Sequence, residues 1–305
     1  MQKAVLLTGG TGFIGSALTA ILVSKGYRVA ILSRTPLKNT EHIHYFHWDI
    51  AKGEIDLAAF KGVRTIIHLA GVSVAGGRWT TKRKQAITKS RVEGTKLLYD
   101  TLFAHKENFS VHTFIGAAAT GIYGSQTSET IYSETSISGN DFLAEVCLQW
   151  EAELQKMEKL NMRTVVLRTG IVLGKNGGAL QKMVTPFRFG MGAVLATGKQ
   201  YMPWIHLNDL CKMYVYVLEN QDISGVFNAV SGLATTNTQM SKQIAKQLNR
   251  PLFLPNLPKW FLKLIFGEMS VILTEGSRVS GDKIKETGFS FEFDTLEPAF
   301  QDLLD

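Results

Sequence analysis

Only two of the 305 residues are cysteines, Cys147 and Cys211. A disulfide framework or a cysteine zinc module needs paired or clustered thiols, so both are excluded. Each thiol lies in an apolar stretch, AEVCLQW and DLCKMYVYV, and reads as a reduced core residue of a cytoplasmic protein. No apolar run approaches the roughly 18 residues that a membrane-crossing helix needs. A charged and apolar secretory leader is also missing, because a strand-like run opens at Ala4. Acidic residues are the minority, 26 against 33 Lys and Arg, for a net charge of +7. The basic residues are dispersed, and the densest stretch, Thr81-Lys82-Arg83-Lys84, is short. With no nucleic-acid reading motif beside it, that charge predicts neither a nucleic-acid nor a membrane partner. There are only seven prolines, and three of them, Pro251, Pro255 and Pro258, fall together and interrupt regular structure there.

What is present is an alternation of short apolar runs with longer helical patterns. Ala4–Leu7, Arg28–Leu32, Thr65–Leu69, Val111–Ala117 and Thr164–Thr169 read as strands, with a further short one within His42–His47. Helical spacing marks Phe13–Lys25, Thr81–Ala104, Asp141–Leu160, Leu207–Glu219 and Thr238–Leu248, with a strand at Gly225–Val230. Apolar runs without polar alternation belong to strands covered on both faces. The expected fold is therefore α/β, a Rossmann-type doubly wound parallel sheet with a smaller C-terminal α/β substrate lobe. The expected divisions are a dinucleotide-binding domain at 1–173, lobe segments at 174–254 and a mostly helical C-terminal domain at 255–305. The glycine-rich stretch Gly174–Gly198 reads as mobile, and its start, Gly174–Gly178, as a loop able to move over a ligand.

The first strand runs into Thr8-Gly9-Gly10-Thr11-Gly12-Phe13-Ile14-Gly15, with glycines at three-residue intervals before a helix. In a β-α-β unit this pattern points to a dinucleotide diphosphate. Gly9 would make the tight turn, Gly12 would let the diphosphate approach the backbone, and Gly15 would let helix and strand pack closely. Phe13 and Ile14 open the helix whose N–H groups face the anion. The end of the second strand selects the cofactor. Ser33-Arg34 stands where a carboxylate would bind the ribose of NAD(H). A guanidinium grips a 2′-phosphate instead, which favours NADP(H) over NAD(H). Asp49 and Ile50 follow the third strand and are candidates for the adenine edge, while Leu69, Ala70 and Gly71 let the cofactor pass at the fourth.

Together TGGTGFIG, HLAG, the IYG at Ile122–Gly124, LRTGIVLG at Leu167–Gly174 and WIHLNDL at Trp204–Leu210 resemble the extended short-chain dehydrogenase/reductases, the NAD-dependent epimerase/dehydratase group. GGRWTTKRKQAITKSRVEGT, NDFLAEVCLQWEAEL, YMPWIHLNDL and FGEMSVILTEGSRVSGDKIKETGFSF are similar to one atypical branch, the sugar-nucleotide epimerase family with its own C-terminal domain. The resemblance spans essentially the whole chain. It implies a bound nicotinamide dinucleotide and chemistry on a small polar or nucleotide-sugar substrate.

The usual engine of that superfamily is Tyr-x-x-x-Lys on a helix, where the ammonium favours the phenolate. Here the matching helix offers Phe142/Val146 or Leu143/Cys147, and neither register holds a tyrosine or a lysine. Ala119 stands for the helper serine and Arg91 for the usual asparagine. Remaining candidates for the chemistry are the Thr120 hydroxyl and the Tyr123 phenol; Thr120 alternatively bonds backbone, and Tyr123 alternatively packs beneath the cofactor. Lys84, Arg91, Glu145 and Arg168 are candidate substrate contacts, each with a structural alternative: solvated helix faces for Arg91 and Glu145, a salt bridge for Arg168. His206 and Asp209 read as a hinge. The expectation is an atypical NADP(H)-binding epimerase or oxidoreductase with a small-molecule substrate, as a homodimer in one reading. Its rival is a non-catalytic NADP(H)-binding regulator of a partner.

Overall fold

All five residues of β1 (Ala4–Thr8) are buried. Side chains on both faces of the strand are therefore covered, which requires helices above and below the sheet. The computed structural model describes residues 3–232 and 234–304. From β1 the chain enters α1 (Phe13–Ser24), β2 (Arg28–Ser33), β3 (Ile43–Asp49), the short β4 (Glu54–Ile55), β5 (Thr65–His68), α2 (Thr81–Ala104), β6 (Thr113–Ala119) and β7 (Ile131–Tyr132). It continues through α3 (Phe142–Gln155), β8 (Arg163–Thr169), β9 (Ile171–Gly174), α4 (Gly178–Arg188), β10 (Trp204–His206), α5 (Leu207–Glu219) and β11 (Gly225–Ala229). The last elements are α6 (Asn237–Gln247), α7 (Lys259–Phe266), α8 (Val271–Thr274), β12 (Arg278–Val279), α9 (Asp282–Glu286) and α10 (Leu296–Leu304).

The main sheet has eight strands in the order β11-β8-β6-β5-β1-β2-β3-β4. Every pairing is parallel except β3 with β4. The chain builds outward from β1 through β2 and β3, then returns to lay β5 on the other side of β1. Connections leave β1 and β5 in opposite directions, so a crevice opens at their C-terminal ends. One face of the sheet is covered by α1 and α5, whose Leu18, Leu22, Leu210 and Met213 pack in one core with Val5 and Leu7. The other is covered by α2 and α3 through Leu98, Leu102, Trp150 and Leu154. A third cluster joins α4, α6 and α10 through Leu180, Val184, Met240, Ile244 and Phe300. The doubly wound α/β class is thus as the sequence predicts.

Two expectations are corrected. Gly174–Gly198 is not a long loop. It holds α4, whose Leu180, Val184 and Phe187 are buried at helical spacing against the lobe core. Its glycines answer a steric need, because a Cβ on Gly174, Gly177 or Gly178 would stand 2.6–2.8 Å from ring atoms of Phe13. The stretch is therefore clamped on the start of α1. The helix expected to reach Leu160 ends at Gln155, and a 3-10 turn over Lys156–Leu160 carries the chain to a left-handed Asn161. The paired short strands β9 and β10 went unread in the sequence, being too brief for a period of two to register.

Candidate cofactor and substrate site

Gly9 sits at φ +69°, and a Cβ there would lie 3.0 Å from the backbone of Leu69 and Ala70. The two strand ends touch at this point, and only glycine fits. At Gly15 a Cβ would come 2.1 Å from the Gly9 carbonyl oxygen, so helix and turn are in backbone contact. Thr8 stitches the same floor: its hydroxyl accepts from the Leu69 and Ala70 amides at 3.2 Å each. Above it, α1 begins at the N-cap Gly12, which has no side chain to cap the first turn. The opening amides at Phe13, Ile14 and Gly15 lack intrahelical acceptors and carry the positive end of the helix dipole. The cradle has the shape and the donors for a diphosphate, so a dinucleotide fits the residues present. Such a cofactor, when bound, supplies hydride exchange at its nicotinamide ring.

Gly9, Gly12, Phe13, Ile14, Gly15, Leu69, Ala70 and Gly71 gather around this one crevice. Arg34 follows β2 and is exposed, with no ion pair among the described residues. Asp49 ends the neighbouring β3, but its carboxylate accepts from the Ala51 amide at 3.0 Å and so closes its own turn. Ile50 is partly buried in the core beneath α2.

His68, at the end of β5, is wholly buried between Thr8 and Thr95, with its ring nitrogens 2.7 and 3.1 Å from their hydroxyls. Burial, reinforced by the nearby Arg91 charge, pushes its pKa down to about 3. The unfolded chain therefore takes up a proton on this side chain between about pH 6.5 and 3 that the folded protein refuses. The contribution is complete above pH 6.5 and is lost progressively as pH falls toward 3. Urea unfolding of a His68→Gln variant should show a shallower loss of stability over that window than the parent; equal slopes would remove His68 as the cause.

The lost catalytic pair can now be placed. A Cβ on Gly121 would contact Leu143 at 3.4 Å and the Cys147 Sγ at 3.6 Å. Leu143 and Cys147 thus lie against the turn after β6, while Phe142 and Val146, together with Leu143, pack in the cluster around Trp79. Where an ammonium would sharpen a phenol, Cys147 is a thiol that burial, with the Glu151 charge behind it, pushes up to about 12. It cannot play that part. Arg91 lies beside Gly71, donating to the Val72 and Ile87 carbonyls at 2.9 and 3.1 Å and stacking 5.1 Å from the Trp150 ring centre. It has no acidic partner among the described residues, and burial lowers its pKa. The alternative reading, a solvated helix face, is corrected: Arg91 is a half-buried cation packed beside Gly71.

Their partners place the other candidates. Arg168 closes the salt bridge that was its structural alternative. It forms a two-pronged ion pair with Glu151, with both contacts at 2.8 Å, and is 7% exposed. Tyr123 is packed rather than poised: it is 1% exposed, donates to Asn228 at 2.6 Å and accepts from Arg168 at 3.0 Å. Burial raises its pKa despite the Arg168 charge. Glu145 is exposed in the first turn of α3. Lys84 forms an ion pair with Glu268 and lines a cavity described below. Thr120, half-buried at the end of β6, keeps a side-chain hydroxyl without a hydrogen bond among the described residues. The expected hinge at His206 and Asp209 is a docking point for the C-terminal segment. Asp209 accepts from the Glu292 and Phe293 amides, and His206 lies 3.3 Å from Asp302. Sequence reasoning missed the partner of Arg168. Glu151 was not singled out there, although its spacing of four from the buried Cys147 puts it on the same face of α3.

Among the described residues, no helix is long and apolar enough to cross a membrane. A profile of the NAD dependent epimerase/dehydratase family matches residues 5–229, and one of a domain of unknown function, DUF1731, matches 257–303. An epimerase family protein of Bacillus subtilis (strain 168), YfhF, is 36% identical over 301 residues, covering 98% of this chain and 97% of its own. The crystal structure of the human epimerase family protein SDR39U1 (isoform 2) with NADPH superposes with a TM-score of 0.86 at 30% identity, covering 98% of both chains. A nucleoside-diphosphate sugar epimerase from Corynebacterium glutamicum gives 0.79 at 28% identity, covering all of this chain but 58% of that one. The chain belongs to the NAD dependent epimerase/dehydratase family, which binds NAD(P).

Proposed function

We propose that the protein is an NADP(H)-dependent oxidoreductase of atypical kind, acting on a small molecule without the tyrosine–lysine pair. The observation that carries it is the glycine cradle, where backbone crowds the Cβ positions of Gly9 and Gly15 beneath an uncapped helix start. Such a contact surface serves a diphosphate and has little purpose otherwise. Arg34 after β2, and a relative solved with NADPH, support the phosphorylated cofactor. Thr120, whose hydroxyl has no hydrogen bond among the described residues, is the group assigned to proton exchange. A second reading, a non-catalytic NADP(H)-binding regulator, is favoured by Leu143 and Cys147 standing where the acid–base pair belongs.

Titration calorimetry with each cofactor tests the proposal. An Arg34→Asp variant should bind NADPH about 10- to 100-fold more weakly, the loss of one or two charge-assisted hydrogen bonds. NADH binding should change by less than about threefold, since NADH offers the guanidinium no second phosphate. Equal losses for both cofactors would remove the 2′-phosphate argument, and no heat from either would end the reading altogether.

A further inference from the structure

The C-terminal segment does more than cap the fold. Val271 and Glu268 close a cavity of about 230 Å³ against Trp79, Lys84, Ser125, Asp141, Phe142 and Leu143. Leu143 also lies against the turn after β6, where a Cβ on Gly121 would touch it at 3.4 Å, so the cavity extends toward that turn. Its walls are largely aromatic and aliphatic, with Trp79 set edge-on to Phe142 at 5.1 Å.

Its charged groups have partners, and the Ser125 hydroxyl is the polar group in the lining without a hydrogen bond among the described residues. Lys84, the one cation in the lining, is ion-paired with Glu268 and lies 5.1 Å over the Phe142 ring. Asp141 accepts from the Ser125 amide at 2.6 Å and from the Ala144 amide at 2.9 Å. The two helix starts that border the cavity are capped by their own side chains, Thr80 for α2 and Asp141 for α3. No free cation or open helix end is left there for a diphosphate. A nucleotide sugar needs such groups to hold its diphosphate.

We infer that the cavity is a specificity pocket for a compact carbonyl compound with an apolar, ring-sized body, and that it excludes nucleotide-linked sugars. This rests on the oxidoreductase reading above. The apolar body is held by Trp79, Phe142, Leu143 and Val271, and the carbonyl is left toward the turn after β6. The reaction is a two-electron reduction. The C4 hydride of NADPH goes to the carbonyl carbon, one proton goes to the carbonyl oxygen, and NADP⁺ and the alcohol result.

The test uses the full chain saturated with NADPH, with acetophenone and benzaldehyde as compact probes and UDP-glucose as the bulky one. Saturable binding of a compact probe is expected, with NADPH oxidation on turnover, and no displacement by UDP-glucose. Val271→Trp, which fills the cavity, should weaken probe binding about tenfold or more while NADPH affinity stays within about twofold. Leu143→Phe narrows the pocket from the opposite wall and should give the same pattern if Val271→Trp misfolds. If NADPH binds but neither compact probe does, or if UDP-glucose binds and either variant abolishes it, the inference is overturned while the cofactor reading stands. If NADPH itself fails to bind, both fall.

Discussion

Replacing Glu151 with alanine should lower the unfolding free energy by about 3–5 kcal/mol, the largest effect expected of any single side chain away from the cofactor. Glu151 and Arg168 are 5% and 7% exposed, and their contact is two parallel hydrogen bonds at 2.8 Å. Burial alone would lower the Arg168 pKa, but the Glu151 bonds and charge outweigh it and raise it. Without the carboxylate, the guanidinium keeps only Tyr123 and the Glu134 carbonyl and remains a charge out of water. The cost of the alanine variant is therefore mostly that stranded cation rather than the worth of the pair. A double variant, Glu151→Met with Arg168→Met, should regain most of the loss, since two apolar chains of similar length leave nothing unpaired. Guanidinium unfolding of the three proteins checks this. A single variant losing under about 1 kcal/mol would mean that water reaches the pair.

Because this ion pair joins α3 to β8, it also holds α3 in the register that presents Leu143 and Cys147 to the turn after β6. The altered catalytic face is thus built on a rigid support. The substitutions there are accommodated: Cys147 packs with Ile122, Tyr123 and Val230 as an ordinary core residue. A helix that has replaced both reactive side chains with apolar ones, yet remains tightly fixed, suits a site that binds by shape.

The glycine turn between β1 and α1 was legible in the sequence because its requirements are local. Gly9, Gly12 and Gly15 lie within one turn and one helical entry, and a strand before and a helix after are enough to read them. The substrate half was not legible, because its meaning depends on partners far away in the chain. Arg168 meets Glu151, seventeen residues off, Lys84 meets Glu268, and Phe13 meets Gly174, Gly177 and Gly178. A charged residue on a helix or at a strand end carries no mark of whether its opposite charge is across the sheet or absent. Arg91 shows the converse, since its run of polar neighbours suggested solvent, whereas its own spot on α2 turns inward to Trp150. The glycines after β9 misled for a related reason: a glycine needed for close approach looks in sequence like one needed for mobility.

Gly15→Ala should cost NADPH affinity about 100-fold or more and, in the same protein, about 1–3 kcal/mol of stability. The added methyl would stand 2.1 Å from the Gly9 oxygen, 2.7 Å from the Gly10 Cα and 2.8 Å from the Gly9 carbonyl carbon. All three are backbone, so no side chain can swing aside. Either α1 withdraws from the turn by on the order of an ångström or the turn opens. The amide donors at Phe13 and Ile14 move off the diphosphate in both cases, and charge-assisted bonds weaken steeply once misaligned. Gly12→Ala separates the two effects. Gly12 has an ordinary φ of −83°, and a Cβ there meets only the Gly9 oxygen, at 3.2 Å. The fold should lose only about 1 kcal/mol from the poorer helix cap, while the methyl stands on the face a diphosphate must approach. Chemical unfolding and NADPH calorimetry on both variants give the comparison. Full NADPH affinity in a folded Gly12→Ala protein would show that the anion does not rest on this helix start, and the cradle would then be only a tight turn.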